Sequence, residues 1–168
     1  YDQDTAGNWQ QAPTLGRLRF ETIGSGAPGA APLLKTEYQY WSNGNLRKVI
    51  DGLQRATETF YDSQFQAYPV CVKNALGHTA KTRYYGVPGS TESGCTTTAG
   101  TAAWSNNGVL TSGAFFGQVE DIADANSALT SFTYDSWGRQ VGIWRPGEAK
   151  ASGHAATEVF TYENSGTF

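Results

Sequence analysis

Short runs of period-two alternation, each ended by a Gly, Asn or Asp turn, rule out a long helix for this chain. In Thr36-Glu37-Tyr38-Gln39-Tyr40-Trp41, residues Thr36, Tyr38 and Tyr40 share a face, as alternate side chains of a strand do. Ser42-Asn43-Gly44-Asn45 then reads as a turn, because Asn-Gly supplies the positive φ angles that tight hairpins require. Leu46 to Ile50 is a second strand and Asp51-Gly52 a second turn signal. Ala56 to Tyr61 returns, with Thr57, Thr59 and Tyr61 on one face. The expectation is an all-β chain of antiparallel hairpins.

The unit recurs. Tyr68 to Val72, the turn Asn74-Ala75-Leu76-Gly77 and Thr79 to Tyr85 form one copy. Gly117-Gln118-Val119, an Asp/Asn-rich turn from Asp121 to Asn126, and Leu129 to Asp135 form another. A further copy opens at Ser136-Trp137-Gly138-Arg139-Gln140-Val141 and ends at Val159-Phe160-Thr161-Tyr162. The N-terminal Gly16-Arg17-Leu18-Arg19-Phe20 repeats the start of the unit and closes at Tyr38 or Tyr40. Closing tyrosines lie 21 residues apart (Tyr40 to Tyr61), then 24 (Tyr61 to Tyr85), and 28 from Tyr134 to Tyr162. One hairpin cannot bury its own face, so copies are expected to stack into a continuous curved sheet. Tyr38, Tyr40, Tyr61, Tyr84, Tyr85, Tyr134 and Tyr162 would then form ladders across adjacent strands, packing the sheet. Two Gly-rich insertions interrupt a single array over 1–168, at about 23–32 and 86–113. In the second, Trp104, Val109 and Leu110 suggest packing back on the sheet.

These residues carry a resemblance. The Tyr-Asp pairs (Tyr61-Asp62, Tyr134-Asp135), the strand starts Gly16-Arg17-Leu18, Gly44-Asn45-Leu46 and Gly138-Arg139-Gln140-Val141, and the string Tyr134-Asp135-Ser136-Trp137-Gly138-Arg139 resemble YD repeats of the Rhs family. The resemblance covers roughly 16–85 and 117–162. It implies a β-sheet strip that spirals into a hollow shell, as in Rhs toxins, toxin-complex C components and teneurins. The repeat positions it singles out are Tyr40, Gly44, Tyr61, Asp62, Gly77, Tyr85, Tyr134, Asp135, Gly138 and Tyr162. The autoproteolytic Asp-Pro-x-Gly motif of the toxin shells is missing. The nearest string is Arg145-Pro146-Gly147-Glu148, so self-cleavage is not expected.

Composition narrows the function classes. With 168 residues, the chain is long enough for one domain or a slice of a larger one. Against 15 Asp+Glu stand 12 Lys+Arg, a net charge of −3, which argues against a nucleic-acid partner. Aromatics at 13% argue against disorder. No apolar run approaches the roughly 18–20 residues of a membrane span, and no signal-peptide pattern is present. The sequence has no Met, so the chain reads as a fragment or processed product.

Chemistry is sparse. No Gly-x-Ser-x-Gly elbow occurs, and His78 and His154 both fall in turn-like strings. The acid cluster Glu120 to Asn126 lacks EF-hand spacing and reads first as a turn, with a cation site as the alternative. Cys71 and Cys95 have no C-x-x-C spacing. Either they bridge, closing a loop of about 25 residues worth ~3 kcal/mol, or they stay as two inert thiols. The expected function is a non-enzymatic structural repeat segment, without cofactor, of a secreted or surface protein. It would build a wall for encapsulation or scaffolding. The alternatives are a glycan- or receptor-binding adhesion module, with Trp41 and Trp104 as the better platform residues, and a subunit of an extracellular tube or filament. Partners would be neighbouring repeats, copies of itself through sheet edges, an enclosed toxin domain or a surface glycan.

Overall fold

A computed structural model describes residues 16–24, 34–98, 100, 115–148, 150 and 153–163. Its strands are β1 (Phe20–Ile23), β2 (Leu34–Tyr40), β3 (Leu46–Ile50), β4 (Ala56–Tyr61), β5 (Pro69–Lys73), β6 (Thr79–Tyr84), β7 (Val119–Ala123), β8 (Leu129–Tyr134), β9 (Gln140–Trp144) and β10 (Glu158–Val159). Strand order in the sheet is the order in the chain. Among the described residues, no helix is long and apolar enough to cross a membrane.

The hairpins share one turn design. At Trp41, Asp51, Asn74, Asp124 and Asp135 the carbonyl accepts the N–H of the residue three positions on, at 2.9–3.0 Å. That acceptor-plus-three residue has positive φ: Gly44 (103°), Gln54 (63°), Gly77 (83°), Ser127 (64°) and Gly138 (78°). This is the three-residue loop with a left-handed closing residue. The leading Asp or Asn caps it from inside. Asp135 Oδ1 accepts the N–H groups of Trp137 and Arg139, both at 2.9 Å. Asp51 does the same for Leu53 and Arg55, and Asp124 for Asn126 and Ala128. Such side-chain-to-backbone bonds are why Asp and Asn favour turns. In the second turn the left-handed residue is Gln54, not Gly52 as Asp51-Gly52 suggested. Gly52 serves close approach instead, since a Cβ there would meet Leu34 Cδ2 at 3.0 Å.

The second shared feature is a bulge. Register shifts by one residue where Tyr40 faces β3, Tyr84 faces β7 and Tyr134 faces β9. Arg47, Glu120 and Val141 are the extra residues, one in each receiving strand. Bulges of this kind bend a strand locally and end its regular pairing.

The chain divides into two compact units. The first comprises 1–59 and 73–77. Here β1 pairs with β2 from Phe20↔Glu37 to Ile23↔Leu34, β2 with β3, and β3 with β4. Lys48 faces Glu58 across that last pair and bridges it at 3.3 Å. No described residue of this unit is fully buried. The second unit comprises 60–72 and 78–168. Its core is Phe60, Val70, Cys71, Tyr85, Val87, Cys95 and Ile143.

The curved YD-repeat stack expected from the repeats is therefore corrected. Strands in substantial contact are consecutive ones, and the order β1 to β10 is an open meander that closes into neither a barrel nor a solenoid. The physical reason lies in how a hairpin finds its neighbour. Backbone hydrogen bonding joins each strand to the next one in the chain, whether a tight turn or a long connection such as that from Tyr84 to Val119 lies between them, so no second layer of hairpins is needed to complete the sheet. Burial agrees, since β2 and β3 contain no buried residue on either face, whereas a stacked array would bury every second one.

Candidate functional site

Residues 86–98, inside the second expected insertion, are folded against the second unit. Val87, Gly89, Ser90 and Cys95 are buried. Cys71 and Cys95 form a disulfide with Cα atoms 6.3 Å apart, joining β5 to this loop. Gly89 completes the attachment: its carbonyl accepts the N–H of Ser63 at 3.0 Å. Gly94 lies flat on the Phe60 ring, leaving no room for a Cβ. Trp104, Val109 and Leu110 lie outside the described residues, as do 25–32 of the first insertion.

The loop is anchored to a second organised turn. Asp62 is 1% exposed, yet its carboxylate accepts five backbone N–H groups. Gln64, Phe65 and Gln66 donate to Oδ1, and Ala67 and Tyr68 to Oδ2. Burial alone would raise the Asp62 pKa. The backbone bonds, led by Tyr68 and Ala67, outweigh it and hold the carboxyl below its ordinary value.

Between the loop and the sheet lies a cleft of ≈ 320 Å³. Its floor is one face of β6, β7 and β8: Lys81 sits opposite Ala123, which sits opposite Leu129, and Arg83 sits opposite Asp121. Thr96, Thr97 and Thr98, directly after the disulfide, form the wall. Asp121 is 5% exposed and is ion-paired with the Arg83 guanidinium, so its buried charge is compensated. Thr97 Oγ1 accepts the N–H of Ser90 at 2.7 Å. Lys81, Thr96 and Thr98 stand exposed to the cleft's solvent. Among the described residues, the Lys81 side chain has no hydrogen-bond or ion-pair partner.

The tyrosines singled out by the repeats act as tethers as well as packing groups. Tyr40 OH donates to the Leu18 carbonyl at 2.8 Å, Tyr84 to Pro69 at 3.1 Å, Tyr134 to Val119 at 2.9 Å and Tyr162 to Gln140 at 2.9 Å. Each bond runs from the end of one hairpin arm to the start of the other. Tyr84 rather than Tyr85 makes it in the third copy; Tyr85 is buried and donates to Phe132 O at 3.0 Å. The Gly-Arg starts belong to the same device. The Arg17 guanidinium lies 5.6 Å from the Tyr40 ring centre, and that of Arg139 lies 4.4 Å from Tyr162, both in cation–π range. Among the described residues a continuous ring ladder is not formed. Ring pairs instead gather as Phe65, Tyr68, Tyr84 and Phe116, with Tyr85–Tyr134 apart from them. Tyr61 is half-buried in β4, and burial raises its pKa.

Other candidates scatter. Asp135, Gly138, Gly44 and Gly77 are turn residues. His78 and His154 are exposed. The acid cluster divides between the Arg83 pair (Asp121), a turn cap (Asp124) and the bulge (Glu120), and no group of three metal-ligating side chains occurs among the described residues. Trp41 Nε1 donates to Thr59 O at 3.1 Å, with Arg47 over its ring at 4.6 Å, so it is engaged rather than presented. Sequence reasoning missed Lys81, Arg83 and Thr96–Thr98. The Lys81-Thr82-Arg83 alternation does mark one charged strand face, but its carboxylate is 38 residues away.

Compared with known proteins, the sequence matches no family model and no curated protein. With the open meander, this overturns the YD-repeat resemblance and the roles drawn from it, those of an Rhs-type shell wall and a toxin enclosure. The Tyr-Asp and Gly-Arg strings mark a hairpin tether and a turn cap, which are local devices.

Proposed function

We propose that this chain is a binding module whose cleft over β6, β7 and β8 receives a small ligand, with no chemical step assigned to it. The observation that carries the reading is the cleft itself: an ammonium and threonine hydroxyls stand beside the apolar surface of Ala123 and Leu129, over a compensated Arg83–Asp121 pair, and a covalent tie holds its wall. Its ≈ 320 Å³ lies at the lower end of the roughly 300–1,000 Å³ of ligand pockets. The reading includes a secreted or cell-surface location, supported by the buried disulfide, since such bonds persist in oxidising compartments. Amide chemical shifts recorded against a fragment cocktail test it. Saturable changes clustered at Lys81, Thr96–Thr98 and Leu129 are expected, and a cleft silent to every fragment would refute it.

A second reading is favoured by the strand order, which leaves β1 and β10 with one neighbour each. Open edges pair with other chains, here copies of the same chain. Light scattering across a concentration series should show association, and a monomer throughout would remove this reading.

A further inference from the structure

We infer that the cleft takes a small monocarboxylate with a short apolar tail, bound by the Lys81 ammonium and the Thr96 and Thr98 hydroxyls. The inference rests on the binding-module reading and specifies its ligand. Charge is the first argument. Arg83 and Asp121 compensate one another at the floor, so the lining retains the single positive charge of Lys81. An ammonium beside hydroxyl donors is a set of donors without a competing acceptor of equal strength, which suits a carboxylate. Lys81 and the two threonines are exposed, and among the described residues the Lys81 side chain has no partner to give up.

Shape and the remaining residues narrow the class. Ala123 and Leu129 offer apolar surface beside the cation, and Leu129 is 40% exposed there. A short alkyl tail would cover it. A doubly charged phosphate fits poorly, because a single ammonium faces its two charges. A neutral sugar fits poorly too, because among the described residues the lining has no aromatic ring on which to stack.

The test is an amide-shift titration of the intact disulfide-bonded chain with hexanoate, hexanamide and inorganic phosphate at low salt. Hexanoate should give saturable shifts at Lys81, Thr96, Thr98 and Leu129, with hexanamide and phosphate each weaker by about tenfold or more. Lys81→Ala should weaken hexanoate by about tenfold, and Lys81→Arg, which keeps the charge, should stay within about threefold of the parent. Equal binding of hexanamide, or tighter binding of phosphate, would overturn the carboxylate assignment while leaving the cleft as a ligand site. Silence of the cleft to all three probes and to the fragment cocktail would remove both.

Discussion

Asp62 keeps a charge at 1% exposure because five backbone N–H groups converge on it. Asp62→Asn keeps the volume but turns an NH2 towards the donors of Ala67 and Tyr68. An unsatisfied buried donor costs roughly 1–3 kcal/mol, so chemical denaturation should show a loss of at least about 2 kcal/mol. The pH dependence has a definite sign. A carboxyl whose folded pKa is depressed contributes stability above its unfolded value of roughly 3.9, and that stability is lost as pH falls through the folded value. The parent should therefore lose stability below about pH 4, and Asp62→Asn should show a shallower acid limb. Tyr134 has the opposite sense. Burial, then the nearby Tyr85, raises its pKa, so its contribution is complete below roughly pH 10 and is lost as pH rises through the folded value. Tyr134→Phe removes the tether to Val119 and should cost about 1 kcal/mol, with a flatter alkaline limb in the same denaturation series.

At the scale of elements, much of the first unit was legible. The strands read at Leu46 to Ile50 and Ala56 to Tyr61 are β3 and β4 as observed, because an alternating run bounded by a turn is a signal contained within a few residues. Most turns were legible for the same reason, though the one read from Asp121 to Asn126 begins only at Asp124, after β7, and the left-handed position at Gln54 shows that the glycine in an Asp-Gly pair need not supply it. The bulges at Tyr40, Tyr84 and Tyr134 were not, since a bulge is a relation between two strands. Loop 86–98 and the cleft depend on longer relations still, such as Cys71 with Cys95. Opening that disulfide, by Cys71→Ser with Cys95→Ser, should lower stability by about 3 kcal/mol. The same variant should raise hydrogen exchange at the amides of Thr97 and Gly100, which the loop holds against Ser90 and Val87. The Asp135 turn should keep its protection. Unchanged exchange at Thr97 would mean that the hydrogen bonds alone hold the wall.

For the whole molecule, the repeat suggested uniformity and the burial denies it. Hairpins of the same turn design occur in both units, and turn chemistry alone cannot specify what their faces meet. All of the buried apolar residues among those described, from Phe60 to Ile143, belong to the second unit. The disulfide and the five-fold Asp62 turn are there as well. The first unit relies on half-buried strands, the partly exposed Lys48–Glu58 bridge and cations over rings, such as Lys35 at 3.8 Å from the Phe20 ring centre. Surface ion pairs contribute about 0–1 kcal/mol each, whereas a fully buried aliphatic or aromatic side chain contributes about 1.5–3 kcal/mol. Local stability follows such contacts, and regions lacking them open at lower free energy. Native-state hydrogen exchange should therefore show β1, β2 and β3 opening well before β7, β8 and β9, and thermal unfolding followed by near-ultraviolet and far-ultraviolet signals should not coincide. Uniform protection across all these strands, with coincident transitions, would show that the sheet opens as one body and that its cooperativity comes from the shared backbone ladder instead of the core of the second unit.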